Sequence, residues 1–278
     1  MTRRPFLKWA GGKTHLIPTL RALVPSGARR LVEPFVGSVA VALNLGFESA
    51  LLGDINADLI SLFQIVCRDP RRFIAACARE FTPPTNAATA YALRRAEFNA
   101  TRDPLRRAVL FVYLNRHGYN GLCRYNRHGH FNVPFGRHAR PYFPHAELLH
   151  FTRLLRRASF VQADFRVLMA QAVEGDFVYC DPPYAPPAGR TRSFTTYAAG
   201  GFSAQDQCDL ADAARGAAQR GACVVISNHD SPLTRALYRD AAEIRRLTMP
   251  RSISRRTDRR TPACELLAIY APRATLKR

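Results

Sequence analysis

Phe177-Val178-Tyr179-Cys180-Asp181-Pro182-Pro183-Tyr184 places groups capable of chemistry directly after a stretch suited to a buried strand. Neither proline has an N–H and each has its φ fixed, so strand pairing stops at Asp181. The Asp181 carboxylate, the Pro182 carbonyl and the Tyr184 ring are then left at the C-terminal edge of the strand, the side of an open parallel sheet where ligands bind. The set answers a particular chemical need. The exocyclic amine of adenine is a poor nucleophile because its lone pair is drawn into the ring. A carboxylate and a carbonyl that each accept one amine hydrogen turn that lone pair toward an electrophile, and both contacts strengthen as positive charge grows on nitrogen. Asp181, Pro182, Pro183 and Tyr184 are therefore the candidate catalytic residues, with the Tyr184 ring able to stack on a flat base. For four residues alone, a strand-ending turn with a surface Asp would be the plainer reading. The upstream segments reverse that.

Phe6-Leu7-Lys8-Trp9-Ala10-Gly11-Gly12-Lys13-Thr14 leads into a helical stretch to about Leu23. The paired glycines let backbone approach a ligand at a helix start, where N–H groups favour anions. Gly-Lys-Thr matches the end of a phosphate-binding loop, but the required first glycine falls on Leu7, which excludes a nucleotide-triphosphate site. The Lys13 ammonium and the Trp9 indole could instead hold an amino-acid-like ligand. Next, Arg30 to Gly37 reads as a strand and a glycine turn, Ser38 to Leu45 as a helix, and Ala50 to Asp54 as a strand ending in an acid. In such a βαβ unit the acid accepts hydrogen bonds from a ribose diol.

The elements that must position these groups fit a chain of 278 residues, long enough for a large α/β domain and a smaller second unit. Lys and Arg number 41 against 21 Asp and Glu, a net charge of +20 that points to a polyanion, nucleic acid first. Two of the three lysines, Lys8 and Lys13, share one short segment, which suggests a need there for compact ammonium charges. The seven cysteines are scattered and form no CxxC, as expected for reduced thiols. No apolar segment reads as a secretory signal or is long enough for a membrane span.

Between Ala57 and about Pro144 the strand–helix rhythm breaks. Helical patterns cover Asp58 to Cys67, Pro70 to Glu80, Asn86 to Ala100 and Pro104 to Arg116. Two alternating runs around Gly129, within Arg116 to Pro134 and rich in Arg, Asn and Tyr, predict a β-hairpin. A two-stranded ribbon fits the major groove, where Arg reads guanine in bidentate fashion. The spacing of Cys123, His128, His130 and His138 matches no common zinc site, and no metal is expected. The rhythm then resumes with a helix from Ala146 to Arg157, a strand from Ser159 to Gln162, a Pro/Gly-rich lid from Ala185 to Gly201, and a helix capped by Ser203 and Asp206. A strand from Ala222 to Asn228, a basic loop from Arg251 to Arg260 and a strand from Glu265 to Tyr270 complete the chain.

Lys8-Trp9-Ala10-Gly11-Gly12-Lys13, Glu33-Pro34-Phe35-x-Gly37, Asp54, Tyr119-Asn120-Gly121 and Asp181-Pro182-Pro183-Tyr184 occur in an order that resembles the Dam-type DNA adenine-N6 methyltransferases over nearly the whole chain. That resemblance implies an α/β fold: a doubly wound, Rossmann-like, seven-stranded methyltransferase sheet with an inserted helical target-recognition domain carrying a β-hairpin. The catalytic domain would comprise residues 1–56 and 146–278, and the recognition domain residues 57–145. It also implies S-adenosylmethionine as cofactor, with Trp9 and Lys13 at its methionine end, Phe35 and Gly37 as pocket walls, Asp54 at the ribose, and Asp164 and Phe165 at its adenine, beside Asp181. Lys8, Leu122, Arg124 and Pro134 would read base edges of GATC. Tyr119 would wedge between base pairs, Asn120 would face the orphaned partner, and Arg95, Asn126 and Arg137 would meet phosphates or neighbouring bases. The implied partner is double-stranded DNA, bound by a cytoplasmic, nucleoid-associated monomer without a membrane or a metal. The biological role could be mismatch-repair marking, regulation or protection beside a restriction enzyme.

One position departs from that family: Val39 stands where a second glycine is usual. If the backbone there needs a positive φ, a β-branched residue costs on the order of 1–2 kcal/mol. A catalytically weakened, sequence-specific DNA-binding protein is therefore the first rival reading. A methyltransferase acting on a glutamine amide or on RNA is the second, although the former would usually carry Asn in place of Asp181.

Overall fold

The computed structural model describes residues 2–184, 201–249 and 263–271. Its strands are β1 (Arg30–Glu33), β2 (Ser49–Asp54), β3 (Ala158–Gln162), β4 (Asp176–Cys180), β5 (Cys223–His229), β6 (Glu243–Met249) and β7 (Ala263–Tyr270). They form one sheet in the order β3-β2-β1-β4-β5-β7-β6. The first five in that row run parallel, and β7 is antiparallel to both of its neighbours. β4 lies at the centre, and every one of its residues is buried. Its period-two alternation sends Phe177 and Tyr179 into the core on one face and Val178 and Cys180 into the core on the other. A strand covered on both sides reads as an unbroken apolar run, which is why this stretch stood out in the sequence.

On the first face pack α1 (Ile17–Leu23), α3 (Ala57–Arg68) and α7 (His145–Leu154), bringing in Leu20, Leu59, Phe63, Leu148 and Phe151. On the second lie α8 (Phe165–Ala170), α9 (Ala204–Gln219) and Tyr238, just after α10 (Pro232–Leu237). Helix starts follow their capping chemistry. Asn56 accepts from Leu59 N at the head of α3, and Ser203 with Asp206 forms the expected capping box on α9. Three further helices, α4 (Pro70–Ala78), α5 (Ala88–Ala100) and α6 (Pro104–His117), lie between α3 and α7 in the chain. Their buried side chains, among them Phe73, Phe98 and Leu110, join the core beneath the sheet without a break.

Three expectations change. The helix expected from Ser38 shrinks to α2 (Ala42–Leu45), because Gly37 and Val39 take φ values of +46° and +62° and interrupt it. Val39 therefore sits in the left-handed region, at a cost of about 1–2 kcal/mol. Its isopropyl group is fully buried in the core, worth about 1.5–3 kcal/mol, so burial offsets the strain. The expected hairpin is no continuous ladder: only the bridges Gly118–Phe135 and Tyr125–Phe131 form. Asn120 and Gly121 have φ values of +52° and +65°, and Pro134 cannot donate, so pairing is interrupted and only scattered backbone bonds, such as Asn126 N to the His130 carbonyl and Asn132 N to the Arg124 carbonyl, cross the segment. The turn at Gly129, φ +74°, does form. Finally, β6 and α10 went unread. β6 is an edge strand whose arginines hide its alternation, and such charges keep a free edge from pairing with another chain. The lid up to residue 200 and the basic loop at Arg251 to Arg260 lie outside the described residues.

Candidate active site

Asp181 leaves the end of β4 with both carboxylate oxygens held. Ser227 Oγ donates to Oδ1 at 2.9 Å, and Lys13 Nζ lies 2.9 Å from Oδ2. Lys13 is itself buried, donates to the Gly11 carbonyl at 2.7 Å, and sits 4.8 Å from the Tyr184 ring centroid. The N-terminal glycine segment thus delivers an ammonium to the carboxylate at the end of β4. Next to Asp181, Pro182 is buried, while the Pro183 carbonyl accepts from Gln207 Nε2 at 2.9 Å. Gln207 thereby occupies the second proline's oxygen and not the Pro182 oxygen singled out from the sequence. The Tyr184 ring packs edge-on against His229, with centroids 4.8 Å apart. Its hydroxyl is buried, with no hydrogen-bond geometry to a partner. Burial first, and then the Asp181 charge, push that phenol well above its ordinary pKa. Cys180, buried under the same edge, has its thiol raised by burial and is no nucleophile.

A second group lines the edge of β1 and β2. An added Cβ on Gly37 would stand 2.9 Å from Trp9 Nε1, so the indole rests directly on the glycine. Gly37 N donates to Asp54 Oδ2 at 3.2 Å and Asn56 N to Asp54 Oδ1 at 3.0 Å, which fixes the acid at the end of β2. Burial raises the Asp54 carboxyl from 3.8 to about 6 despite those donors. Phe35 stacks on Phe165 at 5.4 Å, and Phe202 closes a three-ring cluster at 5.7 and 5.6 Å from the two. Asp164 caps α8 through Arg166 N and pairs with the Arg166 guanidinium. A glycine under an indole, with an aromatic cluster and a fixed acid at neighbouring strand ends, is a donor and acceptor set that fits an adenosyl amino acid.

Lys8 and the stretch between α4 and α7 present the remaining candidates. Tyr119 is 40% exposed at the tip of a turn in which Asn120 takes φ +52°. Lys8 is tied to this turn: Asn115 of α6 accepts from Lys8 N at 2.9 Å and donates to the carbonyls of Lys8 and Gly121. Burial, then Arg116, lowers the Lys8 pKa. Arg124 is exposed, with Nε donating to Asn132 Oδ1 at 2.7 Å, and Leu122 is partly buried beside it. Pro134 is exposed, and its carbonyl accepts from Tyr119 N. Asn126 Oδ1 is spent on the turn, accepting from the His128 and His130 amides. Arg95 reaches inward to the Val133 carbonyl at 3.2 Å, and Arg137 is exposed at φ +53°. No acidic residue occurs between Asp103 and Glu147, while Arg124, Arg127, Arg137 and Arg140 are all exposed. Cys123 is buried, and among the described residues no group of three or more His, Cys, Asp or Glu could hold a metal ion. No helix there is long and apolar enough to cross a membrane.

Sequence reasoning missed Ser227, Gln207 and Phe202. Ser227-Asn228 was legible as a polar pair ending an apolar run, but only the pairing of β5 with β4 puts it beside Asp181.

A carboxylate at the end of the central strand of this mostly parallel seven-stranded sheet, with an acid ending β2, is the layout of a Rossmann-like methyltransferase. A family model described as "D12 class N6 adenine-specific DNA methyltransferase" matches residues 9–253. The DNA adenine methylase of Escherichia coli (strain K12) is 48% identical over 269 residues, covering 97% of this chain and 96% of that protein. The DNA adenine methylase of Vibrio cholerae is 45% identical over 271 residues, covering 97% of each. That of Serratia marcescens is 47% identical over 268 residues, covering 96% of this chain and 98% of its own. The chain belongs to the D12 class of N6 adenine-specific DNA methyltransferases.

Proposed function

We propose that this methyltransferase moves the methyl group of S-adenosylmethionine to N6 of an adenine flipped out of duplex DNA, within GATC. The observation that carries the reading is the fixed Asp181 carboxylate beside the Pro182 carbonyl and the Tyr184 ring. The cofactor supplies an electrophilic methyl carbon. The chain's own residues do the rest. Asp181 and the Pro182 carbonyl accept the two amine hydrogens, and Tyr184 stacks on the base. Lys13 and Trp9 bind the cofactor's amino-acid end, Phe35, Gly37 and Phe165 wall its pocket, Asp54 takes the ribose hydroxyls, and Asp164 lies at its adenine. Acceptors that strengthen as charge develops on nitrogen lower the barrier without tightening the ground state.

Residues 57–145 form the DNA-reading unit and the rest the catalytic unit, with α3 packing against both β3 and α6. Lys8, Leu122, Arg124 and Pro134 read base edges. Tyr119 fills the gap left by the flipped base, which helps to offset an extrusion cost of a few kcal/mol, and Asn120 faces the orphaned partner. Asn126 and Arg137 contact the backbone, whereas Arg95 acts by holding Val133. The protein works as a monomer in the cytoplasm on nucleoid DNA. The rival in which Val39 has ended catalysis is disfavoured, because the isopropyl group points into the core. Transfer of tritium from labelled S-adenosylmethionine tests the function. Duplex DNA containing GATC should become labelled and change its response to endonucleases that distinguish methylated from unmodified GATC. Labelling of RNA or protein in place of DNA would overturn it.

A further inference from the structure

We infer that Ser227, backed by Tyr179, is a positioning residue that sets the plane of the Asp181 carboxylate. This rests on the reading of Asp181 as amine acceptor. β4 and β5 pair in parallel with Cys180 opposite Ile226, so Asp181, just past the end of β4, lies beside Ser227, which is still within β5. Ser227 is fully buried, and its hydroxyl makes two strong contacts: 2.9 Å to Asp181 Oδ1 and 3.0 Å to the Tyr179 hydroxyl. Proton bookkeeping fixes their direction. A carboxylate only accepts, so Ser227 spends its single proton on Asp181, and Tyr179 must donate to Ser227. Tyr179 precedes Asp181 by two residues and therefore projects from the same face of β4. It is buried, and burial, then the Asp181 charge, push its phenol well above the ordinary range, which keeps it a donor.

The consequence is geometric. Rotation about the last bond of an aspartate is soft, so nothing intrinsic to Asp181 aims its lone pairs. The relay from Tyr179 through Ser227 clamps Oδ1 from inside the protein. Oδ2, which meets the Lys13 ammonium at 2.9 Å, keeps a second lone pair, and that lone pair addresses the substrate amine. Neither Ser227 nor Tyr179 touches substrate in this scheme, and no proton changes hands along the relay.

Steady-state kinetics on GATC duplex DNA, with S-adenosylmethionine and DNA titrated separately, test the inference. Tyr179→Phe keeps the ring and removes only the donor, and should lower kcat roughly three- to tenfold. Ser227→Ala should lower it roughly ten- to a hundredfold. KM for DNA and the Kd for cofactor should stay within about twofold of wild type in both. Ser227→Thr, which keeps the hydroxyl, should recover most of the rate. The Ser227→Ala, Tyr179→Phe double variant should be no slower than Ser227→Ala, because Tyr179 acts only through Ser227. Unchanged kcat in both single variants, or a loss shared equally by cofactor and DNA binding, would overturn the inference while Asp181→Ala remained inactive. Turnover by Asp181→Ala would instead remove the amine-acceptor reading beneath it.

Discussion

Gly37→Ala tests whether the edge of β1 and β2 holds the cofactor. At φ +46° an L side chain costs about 1–2 kcal/mol. The new methyl carbon would also stand 2.9 Å from Trp9 Nε1 and 3.1 Å from Trp9 Cδ1, closer than atoms pack, so the indole or the turn must move. A moving turn stretches the 3.2 Å bond from Gly37 N to Asp54, and one substitution thereby disturbs the indole, the floor and the acid together. Gly46→Ala is the matched control: its φ is +77°, yet an added Cβ meets nothing within 4 Å. Gly46→Ala should lose about 1–2 kcal/mol, a fall in Tm of about 2–8 °C, and Gly37→Ala at least as much. Only Gly37→Ala should also weaken S-adenosylmethionine binding, by roughly tenfold or more, about 1.4 kcal/mol. Thermal melts and titration calorimetry on the two proteins decide the matter. Equal cofactor affinity in Gly37→Ala and Gly46→Ala would refute the placement of the cofactor on that floor.

Asp181→Ala should abolish methyl transfer while leaving DNA affinity largely intact, as filter binding beside the tritium assay would show. Arg124→Ala should flatten discrimination among sites altered at one position, by roughly 1–3 kcal/mol, more than it lowers total affinity. An unchanged site preference in competition assays would remove Arg124 from base reading. Acidification from pH 8 to 5 should weaken cofactor binding through about pH 6, where Asp54 gains a proton and ceases to be a two-oxygen acceptor. The sign for stability is opposite. With its folded pKa raised, Asp54 binds more protons in the native state between about 4 and 6, so its contribution falls as pH rises through that window. Asp54→Asn should flatten both profiles, and calorimetry showing tighter binding at pH 5 in the wild type would contradict the assignment.

Much of this was legible because the parallel core writes itself plainly. Buried strands become apolar runs, and the residues that end them at the functional edge, Asp54 and Asp181, interrupt those runs with charge. Trp9, Lys13 and Gly37 were legible as types, but not their convergence, since the closeness of Lys13 to Asp181 depends on a fold spanning most of the chain. Ser227 and Gln207 stayed hidden because nothing local marks a serine or a glutamine whose task is a hydrogen bond to a distant strand end. The hairpin failed for a different reason. Alternation in residues 122–134 is real, but positive φ at Asn120 and Gly121 and the missing donor of Pro134 break the ladder that alternation predicts.

What backs that interrupted ladder is a row on α5. Tyr91 and Arg95 donate to the Val133 carbonyl, and Asn99 exchanges two bonds with Phe131. Spaced four residues apart, these three side chains point the same way from a rigid rod. The segment around Phe131 and Val133 is therefore suspended from behind, like a sign from a bracket, in addition to the bonds of its own backbone. Residues at its front can be exchanged without loosening it, whereas a change on α5 at the rear would shift the whole segment at once.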